Sequence, residues 1–255
     1  MSFDLQPFVD RLLVRSVLNS AERQAILDLP TKRVLLPARQ DFVRLDEETD
    51  HSCYVASGLV ARVGQVRSGA RQITAFHIPG DVADLHSAVR PIGLGGMTTL
   101  CETIILRIPH TAIRLVAAEY PAVAEAFWRD CMLDAAVLME WVVNIGRRSA
   151  TSKLAHMFCE LALRYGRDLG VLKRYAFPAT QEQVGDAAGL TGVHVNRSMR
   201  LLREAGLMTF RNGVVEIHDW AGLVHLAEFD EGYLLADTKP ERQVRLLTTA
   251  SPNGS

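Results

Sequence analysis

The segment from Thr180 to Gly206 constrains this chain most, because it carries the start and stop signals of two short helices. Thr180, followed three residues later by Gln183, is a capping box that predicts a helix start. Gly189 suits the left-handed residue that ends a helix, and Thr191 is placed to cap a second helix. Because only a few residues separate the two helices, we expect a tight helix-turn-helix.

The second helix has two chemically different faces. Apolar residues at i, i+4 and i+7 predict a buried inner stripe of Val195, Met199 and Leu202. The opposite face suits DNA bases, since Arg can donate two hydrogen bonds to guanine and Asn can pair with adenine. The first helix would contact phosphate through its N-terminus. The predicted DNA-binding residues are Thr180, Gln181, Thr191, Val193, His194, Asn196, Arg197 and Arg200.

A hairpin is predicted directly after the second helix. Asn212 and Gly213 lie between two short apolar segments, and Asn-Gly is a strong hairpin signal. This order predicts the winged variety of the motif.

Residues 147–213 hold eleven Lys and Arg against five Asp and Glu, a balance of +6 in a chain of net charge −1. A basic segment in a nearly neutral protein suits a polyanion such as DNA.

Residues 30–108 have the pattern of β-structure. Strand-like segments at 53–56, 59–66 and 72–78 are separated by glycine turns, and residues 97–108 resume as strand. Strands spaced 8–12 residues apart indicate an antiparallel meander that closes as a sandwich or barrel.

Residues 111–146 are predicted to be helical, with Pro121 at a first-turn position. Two adjacent apolar stripes follow, one of which would face a partner helix. The second stripe contains Trp128, Met132, Ala135, Met139 and Val142. We expect the first stripe to form the dimer interface, although Asp134 would be a costly polar residue within it. The interface residues are then Phe127, Cys131, Leu138, Trp141 and Ile145. A helix wholly buried within one chain is the alternative.

Composition and motifs exclude several classes of protein. The four cysteines have no C-x-x-C pair, which suits small buried side chains in a reducing cytoplasm. No apolar run approaches the roughly 20 residues of a membrane-spanning helix, and residues 1–10 lack the pattern of a secretory signal. The chain has no P-loop, His-Glu-x-x-His, Gly-x-Ser-x-Gly or dinucleotide motif, so an enzyme is not expected.

The chain resembles the family of the cyclic-AMP receptor protein and the oxygen regulator FNR over about residues 25–235. The likeness is carried by Tyr54 to Val60, Phe76 to Asp81, Gly146 to Ala150, Lys153 to Ala155, Phe177 to Glu182, Gly189 to Thr191, His194 to Arg197, Leu202 to Leu207 and Asp219. The resemblance implies an α+β architecture with a cyclic-nucleotide-binding-like antiparallel β-roll as sensor domain (1–118). A dimerisation helix with a hinge (119–148), a winged helix-turn-helix DNA-binding domain (149–237) and a polar tail (238–255) would follow.

The resemblance also implies a function. It implies a homodimer that binds a palindromic DNA site and is controlled by a signal in the roll, with RNA polymerase as a protein partner. Arg197 would then contact a base, with Val193 and Asn196 beside it.

The residues disfavour the effectors of that family. Cyclic-AMP binders hold the phosphate with a Gly-Glu and an Arg-Ser pair, but here Asp84 replaces the glutamate and Gly93 to Gly96 replaces the second pair. A buried phosphate would then lack a charged partner. The candidate effector-pocket residues are Asp84, His86 and Arg90.

The metal-containing effectors are also disfavoured. An iron–sulfur cluster needs N-terminal cysteines, and none precedes Cys53. Haem needs an axial ligand, and isolated histidines in strands more often have no such role. The candidates for that ligand are His51, Cys53, His77, His86 and Cys101. The effector is therefore unassigned.

Two classes of function stay open. The first is the DNA-binding regulator, with or without an effector. The second is a small-molecule-binding regulatory or scaffold module whose helix pair binds protein, which would show no salt-dependent affinity for DNA.

Overall fold

The computed structural model describes residues 4–166, 170–235 and 239–242. The described helices are α1 (Gln6–Leu13), α2 (Ser20–Leu27), α3 (His110–Glu119), α4 (Pro121–Arg147), α5 (Ala150–Gly166), α6 (Gln181–Ala188), α7 (Gly192–Glu204) and α8 (Trp220–Ala227). The strands are β1 (Lys32–Leu36), β2 (Asp41–Val43), β3 (His51–Ser57), β4 (Val60–Gln65), β5 (Arg71–His77), β6 (Gly96–Thr99), β7 (Thr103–Pro109), β8 (Arg174–Ala176), β9 (Met208–Arg211) and β10 (Val214–Ile217). Two 3-10 turns occupy Leu85–Ala88 and Glu231–Leu234. None of the described helices combines the length and apolarity needed to cross a bilayer.

The N-terminal roll consists of two antiparallel sheets with the strand orders β1-β7-β3 and β2-β6-β4-β5. Among the described pairings in the roll, only β4 with β5 joins consecutive strands, so the expected meander is wrong in its order. The segment 97–108 forms two strands, β6 and β7, instead of one. The Thr103 hydroxyl donates to the Cys101 carbonyl at 2.9 Å where the chain turns from one sheet to the other.

The long helix α4 ends at Arg147, and Arg148 is extended before α5 begins at Ala150. The Arg148 guanidinium donates to the carbonyls of Ala227 at 3.0 Å and Glu228 at 3.2 Å, at the C-terminal end of α8. It also lies 2.8 Å from a carboxylate oxygen of Glu140 on α4. The bend between α4 and α5 is therefore tied to the C-terminal domain.

The structure contradicts the predicted dimer interface on α4 at two positions. Phe127 is buried and stacks on Phe8 of α1 at 5.9 Å. Trp141 is buried against Phe76 of the roll at 5.7 Å, and its indole N–H donates to Glu160 at 2.7 Å. Both side chains thus pack within their own chain and are unavailable to a partner. Cys131 and Ile145 are half-buried, and Leu138 is exposed.

The second stripe of α4 is the exposed one. Trp128, Met132, Met139 and Val142 are each between 57% and 65% exposed, and Ala135 between them is exposed as well. Their spacing of 4, 3, 4 and 3 residues is that of a coiled-coil seam.

A buried network of charges joins the roll to the helices around it. Asp81, in the turn that follows β5, accepts from Arg11 of α1 at 2.6 Å and from Arg164 of α5 at 2.8 Å. Arg164 also donates to Glu160 at 3.0 Å. Arg11 donates to Asp130 of α4 at 2.7 Å. Burial favours the neutral form of Asp81, but the two guanidiniums outweigh it and hold its pKa below the ordinary value.

The described end of the polar tail returns to the N-terminal helices. Glu241 forms a parallel bridge with Ser16. Arg242 donates to both carboxylate oxygens of Glu22 at 2.9 Å, in the bidentate geometry that favours Arg–carboxylate pairs.

Candidate DNA-binding site

The first helix of the motif, α6, is shaped by its two ends. Thr180 and Gln183 form the capping box. The backbone N–H of Gln183 donates to the Thr180 hydroxyl at 3.2 Å, and the side-chain oxygen of Gln183 accepts from the backbone N–H of Thr180 at 2.8 Å. Gly189 ends the helix in the left-handed region at φ 63°. Gly185 within α6 lets the turn fold back closely, because a Cβ at this position would lie 2.6 Å from the Leu190 carbonyl oxygen.

We expect Gly185→Ala to lower the free energy of unfolding by about 1–3 kcal/mol, since the new methyl group would push apart α6 and the turn. Gly192→Ala is the matched control, because nothing lies within 4 Å of a Cβ there. That substitution should leave stability unchanged or raise it by up to about 1 kcal/mol. Urea unfolding of both variants measures the difference. Equal stability of the two would show that the turn tolerates the added methyl group.

The second helix, α7, presents the predicted face to solvent. Val195, Met199 and Leu202 are buried. The exposed residues are Thr191, Val193, His194, Asn196, Arg197 and Arg200. Thr191 caps the helix by accepting from the His194 N–H. Within the described part of the chain, the side chains of Asn196 and Arg197 form no hydrogen bond or salt bridge, so both are free for an external partner.

Arg200 is less free than Arg197, although it lies on the same exposed face. Its guanidinium is 3.8 Å from Glu204 in a solvent-exposed i, i+4 pair. Such pairs contribute only about 0.3–0.5 kcal/mol, so Arg200 can leave Glu204 at little cost.

The hairpin forms as predicted, as β9 and β10 with β8 along the other side of β10. Asn212 and Gly213 both have positive φ, at 52° and 71°, as a two-residue hairpin of this type requires. Arg174 and Arg211 line an open cleft on this sheet, and the sequence reasoning did not select either of them. Arg211 could have been predicted from the sequence, because it directly precedes the Asn-Gly turn of the expected hairpin.

The N-terminus of α6 faces the roll. A cleft of about 210 Å³ separates Thr180 and Gln183 from strands of the roll. The carboxylates of Asp41, Glu182 and Asp186 line the same cleft. Arg39 and Arg71 line it too, and Arg71 lies 3.5 Å from Asp41, so the charges of the cleft are nearly balanced. Thr180 and Gln181 are themselves exposed.

The predicted effector-pocket residues are only partly brought together. Asp84 and His86 line a pocket inside the roll, together with Arg62 and Gly93 to Gly95. Its volume is about 10 Å³, close to the space of a single water. Burial raises the pKa of Asp84 to about 6, and Asp84 accepts from the Cys53 N–H at 2.6 Å. Arg90 is exposed and does not line this pocket, so the structure does not bring it together with Asp84 and His86.

The five haem-ligand candidates lie in different environments. His86 lines the small pocket, whereas His77 is buried on another side of the roll. Burial raises the pKa of the Cys53 thiol, which opposes a thiolate ligand. His51 and Cys101 are half-buried. In the described ranges, no group of three or more His, Cys, Asp and Glu side chains is placed to hold a metal ion.

Comparison with known proteins agrees with this geometry. Residues 152–226, which contain α6, α7 and the hairpin, match the Crp-like helix-turn-helix domain. The regulatory protein HlyX of Actinobacillus pleuropneumoniae is 24% identical over 164 residues, which cover 64% of this chain and 68% of HlyX.

Solved structures share the fold. FixK2 from Bradyrhizobium japonicum superposes with a TM-score of 0.69 at 24% identity, covering 78% of this chain and 98% of FixK2. A transcriptional regulator of the CRP/FNR family from Thermus thermophilus superposes with a TM-score of 0.58 at 14% identity, covering 77% and 98%. The chain therefore shares the fold of solved CRP/FNR regulators, and its residues 152–226 form a Crp-like helix-turn-helix domain. This helix-turn-helix domain lies in the C-terminal part of the chain, after α4.

Proposed function

We propose that this protein is a CRP/FNR transcription regulator, and that it acts as a homodimer that reads a palindromic DNA site through α7 of each protomer. The exposed polar face of α7, with Asn196 and Arg197 free of partners in the described chain, carries the proposal. Thr191, Val193, His194 and Arg200 lie beside them on the surface that would enter the major groove. Arg174 and Arg211 of the hairpin sheet are suited to the adjacent phosphates.

The exposed stripe of α4 supports the dimer. Two copies of this stripe would meet across a two-fold axis, and the two α7 helices would then reach half-sites one helical turn apart, roughly 34–36 Å. A regulator that binds chromosomal DNA would act in the cytoplasm, and RNA polymerase is the partner that it would contact there. A signal in the roll would act by shifting the arrangement of the domains.

The test is selection of binding sites from random DNA by the wild type and by Arg197→Ala. We expect a palindrome for the wild type. The variant should lose roughly 1–3 kcal/mol of binding free energy and its preference at one base of each half-site, because a bidentate Arg–guanine contact disappears. Arg90→Ala, which removes an exposed arginine of the roll, is the control and should bind like the wild type.

The salt dependence of binding separates the two classes of function. A DNA-binding regulator loses affinity steeply as salt rises, because counterions are released from the phosphates that it contacts. Absence of any salt-dependent DNA affinity would favour a module whose helix pair binds protein. Unchanged base preference in Arg197→Ala would remove Arg197 from the reading face.

A further inference from the structure

A cavity of about 310 Å³ lies where the roll, α1, α4, α5 and the 3-10 turn at Glu231–Leu234 meet. It is separate from the 10 Å³ pocket inside the roll, and Arg62 lines both. A volume of this size is at the lower end of the range for small-molecule sites.

One wall of the cavity is apolar. It consists of side chains from β5, α4, α5 and the 3-10 turn, namely Phe76, Leu133, Val137, Leu138, Leu163 and Leu234. Such a wall favours an apolar ligand body, since each square ångström of apolar surface removed from water makes the free energy of binding more favourable.

The charges of the cavity leave one cation without a counterion. Among its four arginines, Arg11 and Arg164 are paired with Asp81, and Arg62 lies 3.7 Å from Asp134. Arg15 forms no salt bridge with any residue in the described part of the chain, although Asp10 and Glu231 also line the cavity.

The hydrogen bonds of Arg15 are to neutral groups. Its guanidinium donates to the carbonyls of Leu234 and Arg11, and its Nε–H is buried without a partner. Burial and the neighbouring charge of Arg11 lower the pKa of Arg15 to about 10, and the charge of Asp130 offsets only part of this effect. An anion beside Arg15 would therefore be favoured, because it would give this cation the direct ion pair that the described chain does not supply and would accept from its unpartnered Nε–H.

A neutral polar group lies on another side of the cavity. His77 is buried, and its Nε2 has no hydrogen-bond partner. Burial lowers its pKa well below the ordinary value, so the ring is uncharged at neutral pH. His77 adds hydrogen-bonding capacity without adding charge.

We infer that this cavity binds a small organic monocarboxylate with an aromatic or branched aliphatic body. One carboxylate matches Arg15, the arginine of this cavity that has no ion pair in the described chain, and the body packs against the wall around Phe76 and Val137. Because the cavity walls come from the sensor roll, the long helix and the first helix of the C-terminal domain, the occupant links the three parts. We expect binding of this ligand to alter the affinity for DNA, and that expectation rests on the proposed function. The binding of the ligand itself does not depend on it.

The experiment uses the full chain and three probe acids, 3-phenylpropionate, 4-methylpentanoate and benzoate, with 3-phenylpropan-1-ol as an uncharged match to the first. Saturation-transfer NMR and calorimetry measure binding. We expect at least one acid to bind with a dissociation constant below roughly 10 mM, and 3-phenylpropionate to bind at least tenfold more tightly than the alcohol. Failure of all three acids to bind, or equal binding of this acid and the alcohol, would overturn the inference.

Two variants locate the site. Arg15→Gln should weaken acid binding at least tenfold and leave alcohol binding unchanged, and Ala75→Leu, which adds side-chain volume at the cavity wall, should abolish both. Arg23→Gln, a change at an exposed arginine of α2 outside the cavity, should bind like the wild type. Circular dichroism checks that each variant is folded. Acid binding that survives in both cavity variants would place the ligand elsewhere.

DNA binding measured on the same samples keeps the two proposals apart. An acid that binds without changing the affinity for the selected DNA site supports the cavity and contradicts control through it. A protein that binds the acid but no DNA contradicts the proposed function and leaves the cavity assignment supported.

Discussion

Replacing Asp81 with alanine is expected to lower the free energy of unfolding by about 3–5 kcal/mol, because removing one member of a buried charge network leaves its partners uncompensated. Asp81 is buried between Arg11 and Arg164 and also accepts from the Ile78 N–H at 2.9 Å. Without it, Arg11 keeps Asp130 and Arg164 keeps Glu160, but each guanidinium loses a hydrogen-bonded carboxylate inside the protein.

Asp134→Ala is the matched control for Asp81→Ala. Asp134 faces the same Arg11, but its side chain is 25% exposed and the contact is 3.5 Å long. A partly solvated pair contributes at most about 1 kcal/mol, so this variant should lose far less stability. Urea unfolding at pH 7 measures both. A loss below about 1 kcal/mol in Asp81→Ala, equal to that of the control, would show that the network is not a major source of stability.

The contribution of Asp81 depends on pH with a definite sign. Its pKa in the folded protein lies below the unfolded value of about 3.9. The folded state therefore binds fewer protons, and the stabilisation is complete above the unfolded pKa. It is lost as the pH falls through the folded pKa, so the difference between wild type and Asp81→Ala should shrink in acid.

The helix-turn-helix was predictable because its signals are local. The capping box at Thr180, the left-handed Gly189 and the Asn-Gly turn each act within a few residues of the chain. A single sequence suffices to locate such features. The exposed face of α7 follows from the same reasoning, since the positions of Val195 and Leu202 determine which residues point outward.

The orientation of α4 could not be read in this way. Both of its stripes are apolar and adjacent, so periodicity alone cannot say which one packs inside the chain. The deciding contacts are to Phe8 and Phe76, which are distant in sequence from Phe127 and Trp141. The network around Asp81 was unpredictable for the same reason, because Arg11 and Arg164 lie 70 and 83 residues away from it.

Replacing Met139 with glutamate is expected to dissociate the dimer. In a two-fold interface each substitution occurs twice, and burying an unpaired carboxylate where a large apolar side chain had packed should lose roughly 2 kcal/mol or more per copy. The dimer dissociation constant should then rise roughly a thousandfold. Analytical ultracentrifugation over a range of concentrations measures it, and affinity for the full palindrome should fall much more than affinity for a half-site.

Two further substitutions make the dimer experiment specific to one face of one helix. Leu115→Glu changes another exposed apolar side chain, on α3, and should leave the dimer intact. Trp141→Glu should instead destabilise the fold, because the indole is buried against Phe76 and bonded to Glu160. If Met139→Glu remained a dimer while Leu115→Glu dissociated, the interface would lie on α3. If Trp141→Glu yielded a folded monomer, the first stripe of α4 would contribute to the dimer interface. The fold would then not depend on the packing of Trp141 within its own chain.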